Sequence, residues 1–381
     1  MDAGGASSYR PTMTASWTPP IGIPGGTDTP DLVVDLDVVE SNIARIAKEM
    51  ARRGVDLRPH FKTHKSLRIA RLQLEAGAVG VTCATLAEAE VLVAAGITDV
   101  FVAYPVWAGG AKAARVRRLH ELGRLSVGID DQVAAGVLGE AVRGSRARLS
   151  VLVEVDSGLR RSGVGGPDDA VVVARACRKA GLQVSGVFTH GGHGYGPGAA
   201  EKAARDEVEL LRVVGDALAD DGFEIATRSA GSTPTALRSA TGCVTEERPG
   251  TYVFGDWQQS VLGSCAPDGV ALIVASTVVS TAVDGQFVID AGAKTLSKDR
   301  PDWLPGHGYI PRFPGALVAR LYDHHAACEV SDGAARPAVG EIVGVVPNHV
   351  CPVVNLARSL TVVRDGRVVD RWPVDAPARN T

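Results

Sequence analysis

Eight short apolar runs, rich in β-branched residues, recur at near-regular spacing between residues 55 and 256. They are VDLRPHFK (55–62), VGVTCAT (79–85), DVFVAYP (99–105), LSVGID (125–130), LSVLVEVD (149–156), QVSGVFTHG (183–191), EIATRSAG (224–231) and ERPGTYVFGD (247–256). Stretches rich in Ala, Leu, Glu and Arg separate them. KSLRIARLQLEAG, LAEAEVLVAAG and AAEKAARDEVELLRVVGDALADDG read as helices, each closed by a glycine that suits a helix end. Strands apolar on both faces belong to a parallel sheet covered by helices. Eight such units match a (β/α)8 TIM-type barrel better than a doubly wound open sheet, the alternative. The barrel is expected over 40–264.

Beyond about residue 265 the helical signal nearly disappears. Val/Thr-rich runs and the turns Asp284-Gly285 and Asp365-Gly366 read as hairpins. The expectation is a second, mainly β C-terminal domain over 265–381, made discontinuous by residues 26–39, where DLVVDLDVV (31–39) can add a strand. Residues 1–25 read as a flexible tail without the apolar core of a signal peptide, with a possible second start at Met13. The formal charge of −3 and the lack of basic blocks argue against nucleic-acid or membrane-surface partners. No apolar run reaches the roughly 18 residues of a membrane span. Six scattered cysteines without C-x-x-C point to a reducing, cytoplasmic compartment.

Barrel active sites sit at the C-terminal ends of the strands. The first strand runs into Arg58-Pro59-His60-Phe61-Lys62-Thr63-His64-Lys65. A lysine at the place of Lys62 can form a Schiff base with a carbonyl compound; a solvated basic strand end is the other reading. The seventh strand runs into Ala230-Gly231-Ser232-Thr233-Pro234-Thr235. Gly231, Ser232 and Thr233 can cradle a phosphate, or Ser232 or Thr233 can simply cap a helix. A lysine and a phosphate cradle on two strand ends together suggest pyridoxal 5′-phosphate. His349 and Cys351, two apart in a strand, would share a face and could hold zinc; a partly buried histidine and a core cysteine are the alternative. Asp323-His324-His325 could add a ligand or form a solvated turn. One of Arg160 and Arg161 could reach the barrel mouth, and His190 could pack on a flat ring.

With these motifs in view, the chain resembles the fold-type III pyridoxal-phosphate enzymes, on the alanine-racemase barrel, and within them the D-threonine aldolase and D-serine dehydratase family. The resemblance rests on R-P-H-x-K-T-H-K, V-D-S-G-x-x-R-x-G-V, A-G-S-T-P-T, P-G-T-Y-V-F-G-D and P-N-H-x-C-P in that order, between about 28 and 373. It implies that Lys62 is the Schiff-base lysine and that Arg161 lies near the cofactor's 3′-oxygen. Gly231, Ser232 and Thr233 would hold the phosphate with Tyr252, and Arg248 would face the pyridine nitrogen. His190 resembles the dehydratase pattern. His349 and Cys351 match the family's metal pair, for zinc or manganese. H-x-C and D-W-Q-Q-x-x-x-G-S-C (256–265) resemble the dehydratases, whereas P-V-V-N-L resembles the aldolases.

The implied activity is a metal-dependent lyase on small D-β-hydroxy amino acids, a dehydratase giving a 2-oxo acid and ammonia, with aldol cleavage as the alternative. A racemase or a non-catalytic cofactor carrier are further alternatives. The resemblance also implies a head-to-tail homodimer. The loop Lys298–Phe313, with Trp303, His307 and Tyr309, is expected to shape the substrate pocket.

Overall fold

A computed structural model describes residue 19 and residues 21–381. These form two compact units. One holds the described residues up to Asn42 together with Thr251–Pro377; the other holds Ile43–Gly250 and Ala378–Thr381.

The first strand, β1 (Asp31–Asp35), belongs to the former unit. Eight parallel strands follow in the latter: β2 (Asp56–Leu57), β3 (Val81–Cys83), β4 (Asp99–Pro105), β5 (Arg124–Ile129), β6 (Ser150–Glu154), β7 (Gln183–Phe188), β8 (Thr227–Ala230) and β9 (Glu246–Glu247). Their order is β2-β9-β8-β7-β6-β5-β4-β3. Hydrogen bonds from Val79 N to Leu57 O (3.0 Å) and from Thr82 N to Pro59 O (2.9 Å) join the two ends and close the barrel. The apolar runs thus become its staves. The last run differs from expectation: pairing stops at Glu247, and Thr251–Val253 forms a 3-10 turn. Pro249 has no N–H to continue a ladder.

Six helices of nine residues or more fill the connections from Leu67–Glu75 to Ala200–Asp220. The Thr85 hydroxyl accepts Glu88 N at the start of Leu86–Ala94, and Asp131 accepts Val133 N and Ala134 N at the start of Gln132–Ala141. Past the ends of two helices, Gly96 and Gly222 take φ of 83° and 79°, which β-carbon sterics disfavour elsewhere. Inside the barrel Phe101, Leu152 and Phe188 pack together, with the two rings edge to face at 5.1 Å.

The other unit is built on β1 with β10 (Leu272–Ser280), β11 (Gln286–Ile289), β12 (Gly308–Tyr309), β13 (Ala316–Leu321), β14 (Ala326–Val330), β15 (Ile342–Pro347), β16 (Ser359–Arg364) and β17 (Arg367–Pro373). β1 lies antiparallel to β10 and parallel to β16, pairing Val33 with both Ile273 and Thr361. The segment 31–39 is strand only through Asp35, whose carboxylate then accepts Asp37 N and Val38 N as the helix Leu36–Arg53 begins. Asp365 and Gly366, at φ of 50° and 69°, form the two-residue turn between β16 and β17. The core gathers Val33, Trp257, Ile273, Leu304, Val346 and Val363. Ile21 and Ile23 pack against it, while residues 1–18 and 20 of the expected tail, including Met13, lie outside the described residues. Trp303 and Tyr309 pack there too, and Tyr309 stacks on Trp257 at 4.1 Å. These two rings serve the core of their unit. None of the six cysteines is in a disulfide. No helix among the described residues is long and apolar enough to cross a membrane.

Candidate cofactor and metal sites

The strand ends of the barrel bring a set of cationic and hydroxyl side chains together. After β2, Arg58 is tied to Glu246 (2.7 Å) and Asp99 (2.5 Å). A 3-10 turn, Phe61–Thr63, then presents Lys62, which is half-buried and has no ion-pair or hydrogen-bond partner for its amine among the described residues. Lys65 is different: it is buried at φ 47° with its amine 3.1 Å from Glu88. Of the two lysines in K-T-H-K, only Lys62 presents an amine without a carboxylate partner among the described residues.

Three histidines share this end of the barrel. Burial, then the charges of Lys62 and Arg248, hold His60 well below the usual histidine range. Burial, then Lys62, Arg161 and Arg248, push His190 down to about 3, against a weak bond to Gly231 O at 3.4 Å. Burial alone pushes His64 down to about 3. All three are neutral at pH 7. Arg248 is buried; it donates to the Ser229 hydroxyl and to Thr189 O (2.5 Å). Its guanidinium lies over the rings of Phe188 and Phe101, at 5.3 and 5.8 Å from their centroids. Burial works against its charge, and Glu246, Glu247, Glu207 and Glu154 support it. Arg161 is 55% exposed, 3.9 Å from the buried Glu154.

The loop after β8 is held from behind. Gly231, at φ 109°, donates its N–H to Glu207 (3.0 Å), so it offers an anion room rather than an N–H. Ser232 is buried; its N–H goes to the Thr235 hydroxyl (3.1 Å) and its own hydroxyl lies 3.0 Å from that oxygen. Neither Ser232 nor Thr233 caps the following turn, where Thr235 takes the cap position without a capping bond from its side chain. Hydroxyls, a left-handed glycine and uncompensated positive charge fit a phosphorylated aldehyde such as pyridoxal 5′-phosphate.

The second site belongs to the β-rich unit. His349 and Cys351 do not lie on a strand: β15 ends at Pro347, His349 takes the cap position, and Cys351 sits in the first turn of the helix Val350–Leu356. The Asp256 carboxylate accepts Val350 N (3.2 Å) and Gln259 N (2.8 Å), which starts this helix where it does. His349 Nδ1 meets Asp299 at 2.5 Å, and Cys351 Sγ lies 3.9 Å from the Thr251 hydroxyl. Burial opposes charge on His349, but Cys351, Asp299 and Asp256 outweigh it and hold the imidazole well above its usual range. Burial raises Asp256 to about 6. Among the described residues no three His, Cys, Asp or Glu side chains gather around one point. An imidazole and a sulfur with acidic support fit a borderline-soft divalent ion that keeps open positions. Tyr252 is buried in this unit's Thr251–Val253 turn. Asp323, His324 and His325 form an exposed turn, with Asp323 3.3 Å from Lys294.

Four acidic groups escaped the sequence reading. Glu207 had a signal, since it interrupts an apolar helix face of Ala203, Ala204, Leu211 and Val214. Asp256 stands in two of the quoted motifs, P-G-T-Y-V-F-G-D and D-W-Q-Q-x-x-x-G-S-C, without a role assigned to it; Glu247 and Asp299 had no signal.

Comparison with known proteins matches the model "Alanine racemase, N-terminal domain" over residues 34–258 and "Putative serine dehydratase domain" over 271–363. The D-threo-3-hydroxyaspartate dehydratase of Delftia sp. (strain HT23) is 36% identical over 347 residues, 85% of this chain and 91% of the relative. A solved structure of a cysteine variant of it, described as metal-free, has a TM-score of 0.83 at 32% identity over 91% of this chain and 97% of the other. A D-threonine aldolase from Arthrobacter sp is 33% identical over 372 residues, 94% and 96% of the two chains. The crystal structure of a D-threonine aldolase from Filomicrobium marinum superposes with a TM-score of 0.86 at 34% identity, covering 94% of this chain and 98% of the other.

Proposed function

The chain belongs to the fold-type III pyridoxal-phosphate enzymes, in the D-threonine aldolase and D-serine dehydratase family on the alanine-racemase barrel, and on that premise we propose that it is a lyase of D-β-hydroxy amino acids. The supporting observation is the amine of Lys62, half-buried at a strand end with no carboxylate partner among the described residues. Lys62 Nζ would hold pyridoxal phosphate through its aldehyde and, as a free amine, would take the proton from the substrate's α-carbon in the dehydratase reaction. When bound, the cofactor draws electron density from that carbon. Ser232 and Thr233 would hold the phosphate, with Gly231 leaving it room and Tyr252 assisting. Arg248 would keep a fixed positive charge toward the pyridine ring, and Arg161 would attend the 3′-oxygen. Neutral His190 would offer its flat face. His349 and Cys351 would hold a divalent ion, zinc or manganese, whose Lewis acidity serves the substrate's β-hydroxyl.

The dehydratase outcome is favoured by the cysteine in the metal pair, and the aldolase outcome by the comparable identity to an aldolase. Incubation of metal-loaded holoprotein with D-threonine and with D-threo-3-hydroxyaspartate separates them. A 2-oxo acid with ammonia establishes the dehydratase; glycine with an aldehyde establishes the aldolase. Neither product from either substrate would sink the lyase reading. The same proposal includes a cytoplasmic homodimer; sedimentation at a monomer's mass would remove the dimer. The expected barrel limit of 264 runs past the structural one, since residues 251–264 belong to the β-rich unit, where Trp257 packs in the core.

A further inference from the structure

Two carboxyl groups behind the Gly231 loop have no part in the chemistry above. Glu207, on the helix Ala200–Asp220, and Glu247, at the end of β9, are both fully buried. They converge on Gly231. Oε1 of Glu207 accepts the N–H of Gly231 at 3.0 Å and that of Gly191 at 2.8 Å. Oε2 of Glu247 occupies the place where a β-carbon on Gly231 would stand. Oε1 of Glu247 accepts the Ser239 hydroxyl at 2.7 Å. The second oxygen of each acid is buried without a well-formed hydrogen bond among the described residues, although the Thr235 hydroxyl stands close to Glu207 and favours its ionised form. Two bare carboxylate oxygens in a dry site are costly, and two adjacent negative charges more so. One proton resolves both: it converts one orphan oxygen into a donor and gives the other its partner.

We propose that Glu247 keeps its proton at neutral pH and donates it to Glu207, and that Glu207, so braced, fixes the loops 190–193 and 231–233 in the conformation that receives the phosphate. The proton belongs on Glu247 because Glu207 accepts two backbone N–H groups, which favour its ionised form, whereas Glu247 accepts one hydroxyl. Burial raises both acids, and the charge of Glu207 raises Glu247 further. Arg248 favours ionisation of both, and Glu246, tied to Arg58 and Ser229, opposes it at Glu247. Glycine is then demanded at 191 and 231 from behind the loops: a β-carbon on either would run into a carboxyl group. Glu207 and Glu247 are positioning residues.

Only the second half of the proposal rests on the pyridoxal-phosphate reading, so the proton is tested on cofactor-free protein. Infrared spectra at neutral pH should show the carbonyl stretch of a protonated carboxylic acid, and Glu247→Gln should lose it. A wild-type spectrum without that band, or a band that survives in Glu247→Gln, overturns the shared proton. Pyridoxal-phosphate affinity then tests the brace. Glu247→Gln keeps an N–H donor for Glu207 and should bind within about threefold of wild type, while Glu247→Met removes the donor and should bind roughly tenfold more weakly. Equal affinity in Glu247→Met overturns the brace. If wild type binds no pyridoxal phosphate, the functional reading fails, and the infrared result still decides the acid pair.

Discussion

Half-buried histidines in the two units are pushed in opposite directions. In the barrel unit, burial and the charges of Lys62 and Arg248 drive His60 and His190 down. In the β-rich unit, Cys351, Asp299 and Asp256 overcome the same burial and drive His349 up. Residue type and burial are shared, so the sign of the neighbours decides. In the barrel mouth the glutamates stand behind Arg248 and Arg161, and the Lys62 amine has no carboxylate partner among the described residues. The His349 site carries acidic groups that favour a positive charge on the imidazole. Each is short of the kind of charge its proposed occupant brings: a phosphate for one, a divalent cation for the other.

The largest effect expected from breaking this contrast is at Lys62. Lys62→Ala should abolish turnover and the visible absorbance of bound cofactor together; turnover without Lys62 would remove the barrel's half of the comparison. His349→Ala should come next. It should lose activity that added zinc or manganese does not restore, and elemental analysis should find the metal gone from the variant. Full metal content with full activity would mean that the negative charge around His349 serves some other end.

Legibility followed chain distance. The barrel was readable because each strand and helix announces itself within a dozen residues, by period and by closing glycines. Lys62, Gly231 and Ser232 were readable because barrel geometry puts strand ends at one mouth. His349 and Cys351 were rightly paired in space for the wrong reason: a helix start brings them together, because Asp256 captures Val350 N and Pro347 ends the strand. Trp303 and Tyr309 stand in a long loop that reads as pocket-forming; their partly buried rings pack against the core of the β-rich unit, a contact no local pattern marks. Asp299 and Glu247 act on partners that lie nearby only after folding. No local period marks them.

Asp299 offers a graded test of the β-rich side. Its contact with His349 Nδ1 leaves the other ring nitrogen for a metal and fixes the ring's orientation. Asp299→Asn keeps an acceptor and removes the charge. Metal affinity, measured by competition with a chelator on cofactor-free protein, should fall about 10–100-fold, in line with outer-shell partners elsewhere. Unchanged affinity would reduce the contact to a solvent-exposed ion pair, worth little by itself, since the Asp299 side chain is 55% exposed.

The smallest effect concerns stability and acid. His64 is fully buried, and burial lowers it to about 3 from an ordinary 6.5. Between those values the unfolded chain binds a proton that the folded barrel refuses, so the stabilising contribution is whole above pH 6.5 and is lost as pH falls toward 3. The loss is about 1.4 kcal/mol per pH unit for this one group. His64→Asn can still accept Ser66 N, which His64 Nδ1 accepts at 3.2 Å, and it does not titrate. Urea unfolding between pH 6.5 and 4.5 should therefore show a shallower decline in the variant than in wild type. His349 works in the opposite sense: its raised value contributes stability that is whole below 6.5 and lost as pH rises through that value. Identical slopes in wild type and His64→Asn would mean that His64 takes up its proton in the folded barrel, and that burial there is weaker than its packing against Phe61 implies.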